Sequence, residues 1–215
     1  MQRGWKWLNI YLIRHGEAEH NVDKTVMAHT HDSRHSLTEL GLKQAQATAE
    51  FFKTIVSPKT VLYSSPYLRT MQTAKAIHTL LPEGVPLFEN PLIREWELGN
   101  LYDFADRPPE KKKEFKAAGQ FYFRFQDGES LADVYLRATM FMHTVVERVR
   151  KQQRYENIVI VTHAAFIHML LTFLMNWPIE ELKNFKPVEN ASVIKVNEVD
   201  GDYQYEKIFV PIVDK

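Results

Sequence analysis

The chain has 215 residues, 45% of them hydrophobic, and its 27 basic and 27 acidic residues cancel. That is enough apolar material for one sizeable core, and with no net field to draw it onto nucleic acid or an anionic membrane, any positive site must be local. There is no cysteine, which removes disulfides, iron–sulfur ligation and thiolate catalysis together.

In chain order, residues 7–13 (WLNIYLI) read as a first strand. Basic residues precede them, but the apolar run is short, broken by Lys6 and Asn9, and lacks the small-residue cleavage site of a signal sequence. The strand stops at Arg14 and His15, two residues that resist burial unless something answers their charge. After a connection, LTELGLKQAQATAEFFKTI reads as a helix with Thr38 as N-cap and Leu42, Ala45, Ala49 and Phe52 on its packed side. Residues 60–63 (TVLY) form a second strand. Beyond it a helix is expected from Ser65-Pro66 to about Leu81, with Pro66 in the first turn and Arg69 close behind. Residues 100–128 break the pattern with paired prolines, the lysines 111–113 and clustered aromatics, and read as a lid-like insertion. A long helix from Leu131 to Gln153, a strand at 157–162 ending on His163, and a helix from Ala165 to Met175 follow. Two strands around an Asp200-Gly201 turn close the chain.

Alternating strands and helices argue for an α/β fold: a three-layer α/β/α sandwich with a mostly parallel central sheet, in a single domain spanning 1–215. No stretch approaches the roughly 18 to 20 apolar residues of a membrane span, so a cytoplasmic protein is expected. Ligands of open α/β sheets gather where strands end at their carboxyl termini, and here those ends deliver Arg14, His15, Arg69 and His163 to one rim. Any one of these has a bland reading as a strand-end charge or a satisfied core histidine. Together they call for an anion, and the planar fork of arginine favours phosphate.

Three rival signals are weaker. His29, His31, Asp32 and His35 in HTHDSRH have the chemistry of metal ligands, but their spacing does not fit a metallohydrolase and no later ligand set accompanies them; a connection near the substrate mouth is the better reading. Lys111, Lys112 and Lys113 read as a solvated helix face. FYFRF (121–125) could stack bases, yet balanced charge favours lid or core packing.

The ordered set LIRHGEAEHN, LTELGLKQA, YSSPYLRTMQTA, REWELG, DGES and VIVTHAAF resembles the histidine phosphatase, or phosphoglycerate mutase-like, superfamily across nearly the whole chain. The resemblance implies that fold, with His15 as the nucleophile that takes the phosphoryl group and Arg14, Asn21, Arg69 and His163 as the phosphate pocket. Glu95, four before Gly99, matches the proton donor, with Glu97 in reserve, and Glu17 is expected behind the site, orienting an arginine or His15. Ala164 stands where the family usually has glycine, and its backbone N–H can still face phosphate. Physical chemistry supports the roles: two arginines oppose protonation of His15, and no metal or cofactor is needed. Where mutases typically follow the donor glutamate with Arg-His-Tyr-Gly, this chain has Trp96, Glu97, Leu98 and Gly99, which favours a phosphatase over phosphoglycerate mutase-type transfer. The NVDK, HDSRHSLTELG and FYFRFQDGES stretches are similar to a branch that includes fungal broad-range acid phosphatases and plant mutase-like proteins. The expected partner is a small phosphorylated substrate, not nucleic acid or membrane. A homodimer is compatible with the sequence.

Overall fold

The computed structural model describes residues 8–99 and 109–213. Apolar, β-branched runs form six strands: β1 (Asn9–Arg14), β2 (Thr60–Ser64), β3 (Leu87–Glu89), β4 (Asn157–Thr162), β5 (Val193–Val199) and β6 (Asp202–Phe209). They make one sheet in the order β3-β2-β4-β1-β5-β6. The pairings β1 with β4, β2 with β4 and β2 with β3 are parallel, and β5 and β6 add antiparallel. In register, Ile10 faces Ile158 and Arg14 faces Thr162, so β1 and β4 end level.

Seven helices are described: α1 (Glu19–Val22), α2 (Glu39–Lys53), α3 (Leu68–Leu80), α4 (Pro109–Tyr122), α5 (Leu131–Phe141), α6 (Glu147–Gln152) and α7 (Ala164–Leu174). Strand side chains alternate between faces. Tyr11, Ile13, Val159 and Val161 pack with Ala49 and Phe52 of α2 and Ala74 and Ile77 of α3. Ile10, Leu12, Ile158 and Ile160 pack with Val134, Ala138 and Phe141 of α5 and Phe166 and Leu170 of α7. The result is the expected three-layer sandwich. No described helix is long and apolar enough to cross a membrane.

Several boundaries differ from the sequence reading. Leu42 is 49% exposed, because the packed stripe of α2 runs through Gly41, Ala45, Thr48, Ala49 and Phe52 instead. Gly41 sets that rotation: a β-carbon there would overlap the Glu17 carbonyl oxygen, so the loop after β1 crosses α2 at this point. Thr38 caps α2 as expected, its hydroxyl accepting from Gly41 N–H at 3.0 Å. Pro66 lies before α3, whose N-cap is Tyr67, since Ser65 still belongs to the sheet edge and bonds Val161 O through its N–H at 3.0 Å. The short edge strand β3 had no periodic signal. The long helix bridges α5 and α6 through a π-helical turn, Met142–Val146, without breaking. Residues 100–108 of the expected lid lie outside the described residues. The remainder forms α4, kinked at Gly119, and Phe123 and Phe125 are buried, with Phe125 edge-on to Trp96 at 5.2 Å.

Candidate active site

Three parallel strands end at one edge of the sheet and carry the site with them. His15 follows β1, its N–H bonded to Thr162 O at 3.0 Å, and His163 follows β4 as the N-cap of α7. Both are buried, with ring centroids 5.2 Å apart. Arg69, in the first turn of α3, is fully buried, and its Nε donates to His15 Nε2 at 3.3 Å. Glu95 places Oε2 3.9 Å from His163 Nδ1. His15, Arg69, His163 and Glu95 thus meet although they are far apart in the chain. Arg14 anchors beside them by donating from Nη1 to Val188 O at 2.7 Å, and its charge acts on both His15 and Glu95.

Protonation states follow from these neighbours. Burial, then Arg69 and Arg14, hold the His15 imidazole well below its ordinary 6.5. Its Nδ1 lies 2.7 Å from Gly16 O. A carbonyl can only accept, so Nδ1 carries the hydrogen and Nε2 holds the lone pair. Burial and Arg69 likewise keep His163 neutral. Ser65 Oγ accepts from Tyr67 N–H at 3.4 Å and lies 2.8 Å from His163 Nε2; in the tautomer where the hydroxyl donates there, His163 Nδ1 carries the hydrogen. His163 Nδ1 is buried with no hydrogen-bond partner, on the side of Glu95. Glu95 is raised above 4.5, chiefly by burial, with Arg69 pulling the other way.

The remaining expected residues sit further out. Asn21 is exposed; Oδ1 accepts from Ala18 N–H at 3.0 Å and from Asn190 Nδ2 at 3.3 Å, and Nδ2 faces His20 Nε2 at 3.1 Å. It therefore reaches the cleft through His20. Glu17 orients neither an arginine nor His15: its carboxylate accepts from the Thr38 hydroxyl at 2.8 Å and steadies the start of α2. Glu97 lines the cleft mouth and accepts from Tyr67 Oη at 3.4 Å. Ala164 opens α7 with its N–H free of intrahelical bonding.

Sequence reasoning missed three supports. Asp32 is buried and pairs with Arg69, Oδ2 accepting from Nη2 at 3.0 Å, so it answers one of the two guanidinium charges. His20, pushed down to about 4 mainly by burial, lines the cleft with an unpartnered Nδ1. Glu129 of DGES takes both Nε and Nη2 of Arg137 at 2.8 Å and bonds Glu97 N–H at 3.2 Å, while Arg137 reaches the carbonyls of Leu92, Arg94 and Glu95. This clamp fixes the backbone that presents Glu95. Gly99 lets the segment pass: at φ 67°, a β-carbon there would overlap Gln126 O.

The 29–35 cluster does not assemble. His29 and His31 are exposed, and Asp32 is committed to Arg69. Among the described residues, the set of three donor residues able to share a metal ion is His15, Glu95 and His163, their ligand atoms within 4.8 Å of one another.

The family model of the histidine phosphatase superfamily (branch 1) matches residues 10–210. A phosphoglycerate mutase-like protein of Arabidopsis thaliana is 31% identical over 211 residues, covering 90% of this chain; the chain spans 66% of that protein's length. The broad-range acid phosphatase of Saccharomyces cerevisiae is 26% identical over 286 residues, covering 89% of this chain and 85% of the yeast protein. Among solved structures, the alpha-ribazole phosphatase from Shigella flexneri superposes with a TM-score of 0.74 at 22% identity, covering 96% of this chain and 100% of that one. Native mycobacterial glucosyl-3-phosphoglycerate phosphatase gives 0.73 at 21% identity, covering 93% and 97%. At such identities the superpositions establish the shared fold.

Proposed function

The chain belongs to the histidine phosphatase superfamily, and from that premise we propose that it hydrolyses phosphate monoesters through a phosphohistidine formed on His15. The observation that carries this is the His15 ring itself. Nδ1–H is tied to Gly16 O, so Nε2 carries the lone pair; it accepts from Arg69 Nε at 3.3 Å, a long bond that it exchanges for phosphorus when substrate binds beside His163 and Glu95.

In the first step Nε2 attacks phosphorus in line with the ester oxygen. The N–P bond forms, the P–O bond breaks, and protonated Glu95 gives its proton to the departing alkoxide. Arg69, Arg14 and the Nδ1–H of His163 donate to the equatorial oxygens, where charge spreads during transfer. In the second step the Glu95 carboxylate takes a proton from water as its oxygen attacks phosphorus. The N–P bond breaks, inorganic phosphate leaves, and Glu95 is protonated again. Each proton and electron pair is accounted for by side chains, so no step calls on a metal ion. Relatives named as an acid phosphatase and a glucosyl-3-phosphoglycerate phosphatase support this class of reaction.

A panel of phosphate monoesters assayed with and without chelator tests the reading. Turnover is expected to be unchanged by chelator and to fall at least about 10³-fold in His15→Ala. Turnover that disappears with chelator, or an active His15→Ala enzyme, would contradict it.

A further inference from the structure

Beside the reaction centre a hollow of about 260 Å³ is bounded by His20, Glu95, Trp96 and Ala165. Trp96 and Ala165 also bound a second hollow of about 240 Å³, which His168 and Phe185 close on its far side. Those two residues in turn bound a third, of about 660 Å³, with Leu171, Trp177 and Tyr205 among its walls. Each hollow shares two wall residues with the next, so the three lie side by side in a row, a groove in outline. Ala165, His168 and Leu171 recur every three residues on one face of α7, and at 1.5 Å of rise per residue the path extends about 9 Å from the phosphate end.

The groove changes character along its length. The phosphate end is lined by the Arg69 guanidinium and the Glu95 and Glu97 carboxylates. The far end is walled by rings: Trp177 lies 5.5 Å from Phe185 and 5.6 Å from Tyr205, and His168 lies 4.8 Å from Phe185. Of the polar groups there, His168 Nε2 meets Lys186 O at 3.1 Å, Asn184 Nδ2 donates to the Glu181 carboxylate at 2.6 Å and Lys207 Nζ to the Glu189 carboxylate, while the Lys186 side chain is exposed. The wall of this cavity is mostly apolar, with Glu181, Asn184 and Lys186 exposed among its lining, and a mostly apolar wall suits an apolar body better than a sugar.

Resting on the phosphomonoesterase reading above, we propose that this groove receives the leaving group of the substrate, and that the substrate class is a phosphate monoester of an extended apolar alcohol ending in an aromatic ring. Contacts so far from phosphorus are equal in the ground and transition states. They lower KM and leave kcat nearly unchanged.

Phenylalkyl phosphates with two to six methylenes between ring and ester oxygen make the test, because their alkoxides are of similar basicity. The expected result is a rise in kcat/KM of about threefold per methylene as the ring moves into the groove, carried by KM. His168→Trp, which fills the second hollow, should abolish the rise. Trp177→Ala should reduce the advantage of the longest ester about tenfold. A flat series, or a rise untouched by both variants, would overturn the proposal. Calorimetric titration of the matching non-hydrolysable phosphonates reads the groove without turnover. Graded affinity with no ester hydrolysed would fault the phosphatase reading alone; hydrolysis with ungraded affinity would fault only the groove.

Discussion

Glu95 and His15 are displaced in opposite directions by their surroundings, and this division suits the chemistry assigned to them. Burial raises Glu95, so the protonated donor persists above the ordinary 4.5; burial and two guanidiniums lower His15, so the neutral nucleophile persists below 6.5. For an alkyl ester, kcat/KM of the free enzyme should therefore fall on the alkaline side as Glu95 loses its proton, and on the acid side only well under pH 6.5. Glu95→Gln should slow an alkyl phosphate by about 10²- to 10³-fold and nitrophenyl phosphate far less, since nitrophenolate hardly needs an acid. Parallel rate measurements on the two esters decide this, and equal slowing would remove Glu95 from the donor role. Arg14, His15 and His163 were legible because strand ends are legible, an apolar run that stops on a polar group declaring its edge; Arg69, five residues past β2 in the first turn of α3, was legible from the direction in which that strand leads. Asp32 and His20 were not. Asp32 lies 37 residues before Arg69 in an irregular connection, and no periodicity announces which of several polar residues there will turn inward.

At the scale of elements, the site depends on two joints outside it. One is the start of α2, where the Thr38 hydroxyl accepts from Gly41 N–H and donates to Glu17, holding the loop that follows His15. Thr38→Ala should lower unfolding free energy by about 1 kcal/mol in chemical denaturation, with Thr38→Ser restoring most of it. An unchanged midpoint for the alanine variant would show that the joint bears no stability. The other is the Glu129–Arg137 clamp, whose bonds reach from Leu92 to Glu97. The cap at Thr38 could be read from sequence because capping is local. The clamp could not, since a carboxylate in a turn and an arginine on a helix have no pattern that pairs them. Leu42 shows the same limit in reverse. Periodicity finds an apolar stripe, but the close crossing at Gly41 rotates the helix and leaves Leu42 in solvent.

Across the whole molecule, layer order and strand direction followed from the alternation of apolar runs, because a parallel sheet buried on both faces leaves few other arrangements. Although the chain is neutral overall, Arg14 and Arg69 converge at one place, where Asp32, Glu95 and Glu189 partly offset them. The fold concentrates that charge around one nucleophilic nitrogen. Rapid mixing with excess labelled aryl phosphate, quenched in alkali during the first turnover, measures directly whether that nitrogen becomes phosphorylated. The account predicts up to one acid-labile, alkali-stable phosphoryl group per chain, located on His15, absent from His15→Ala and formed equally well in chelator. Label on another residue, or steady turnover with no labelled protein at any time, would contradict it.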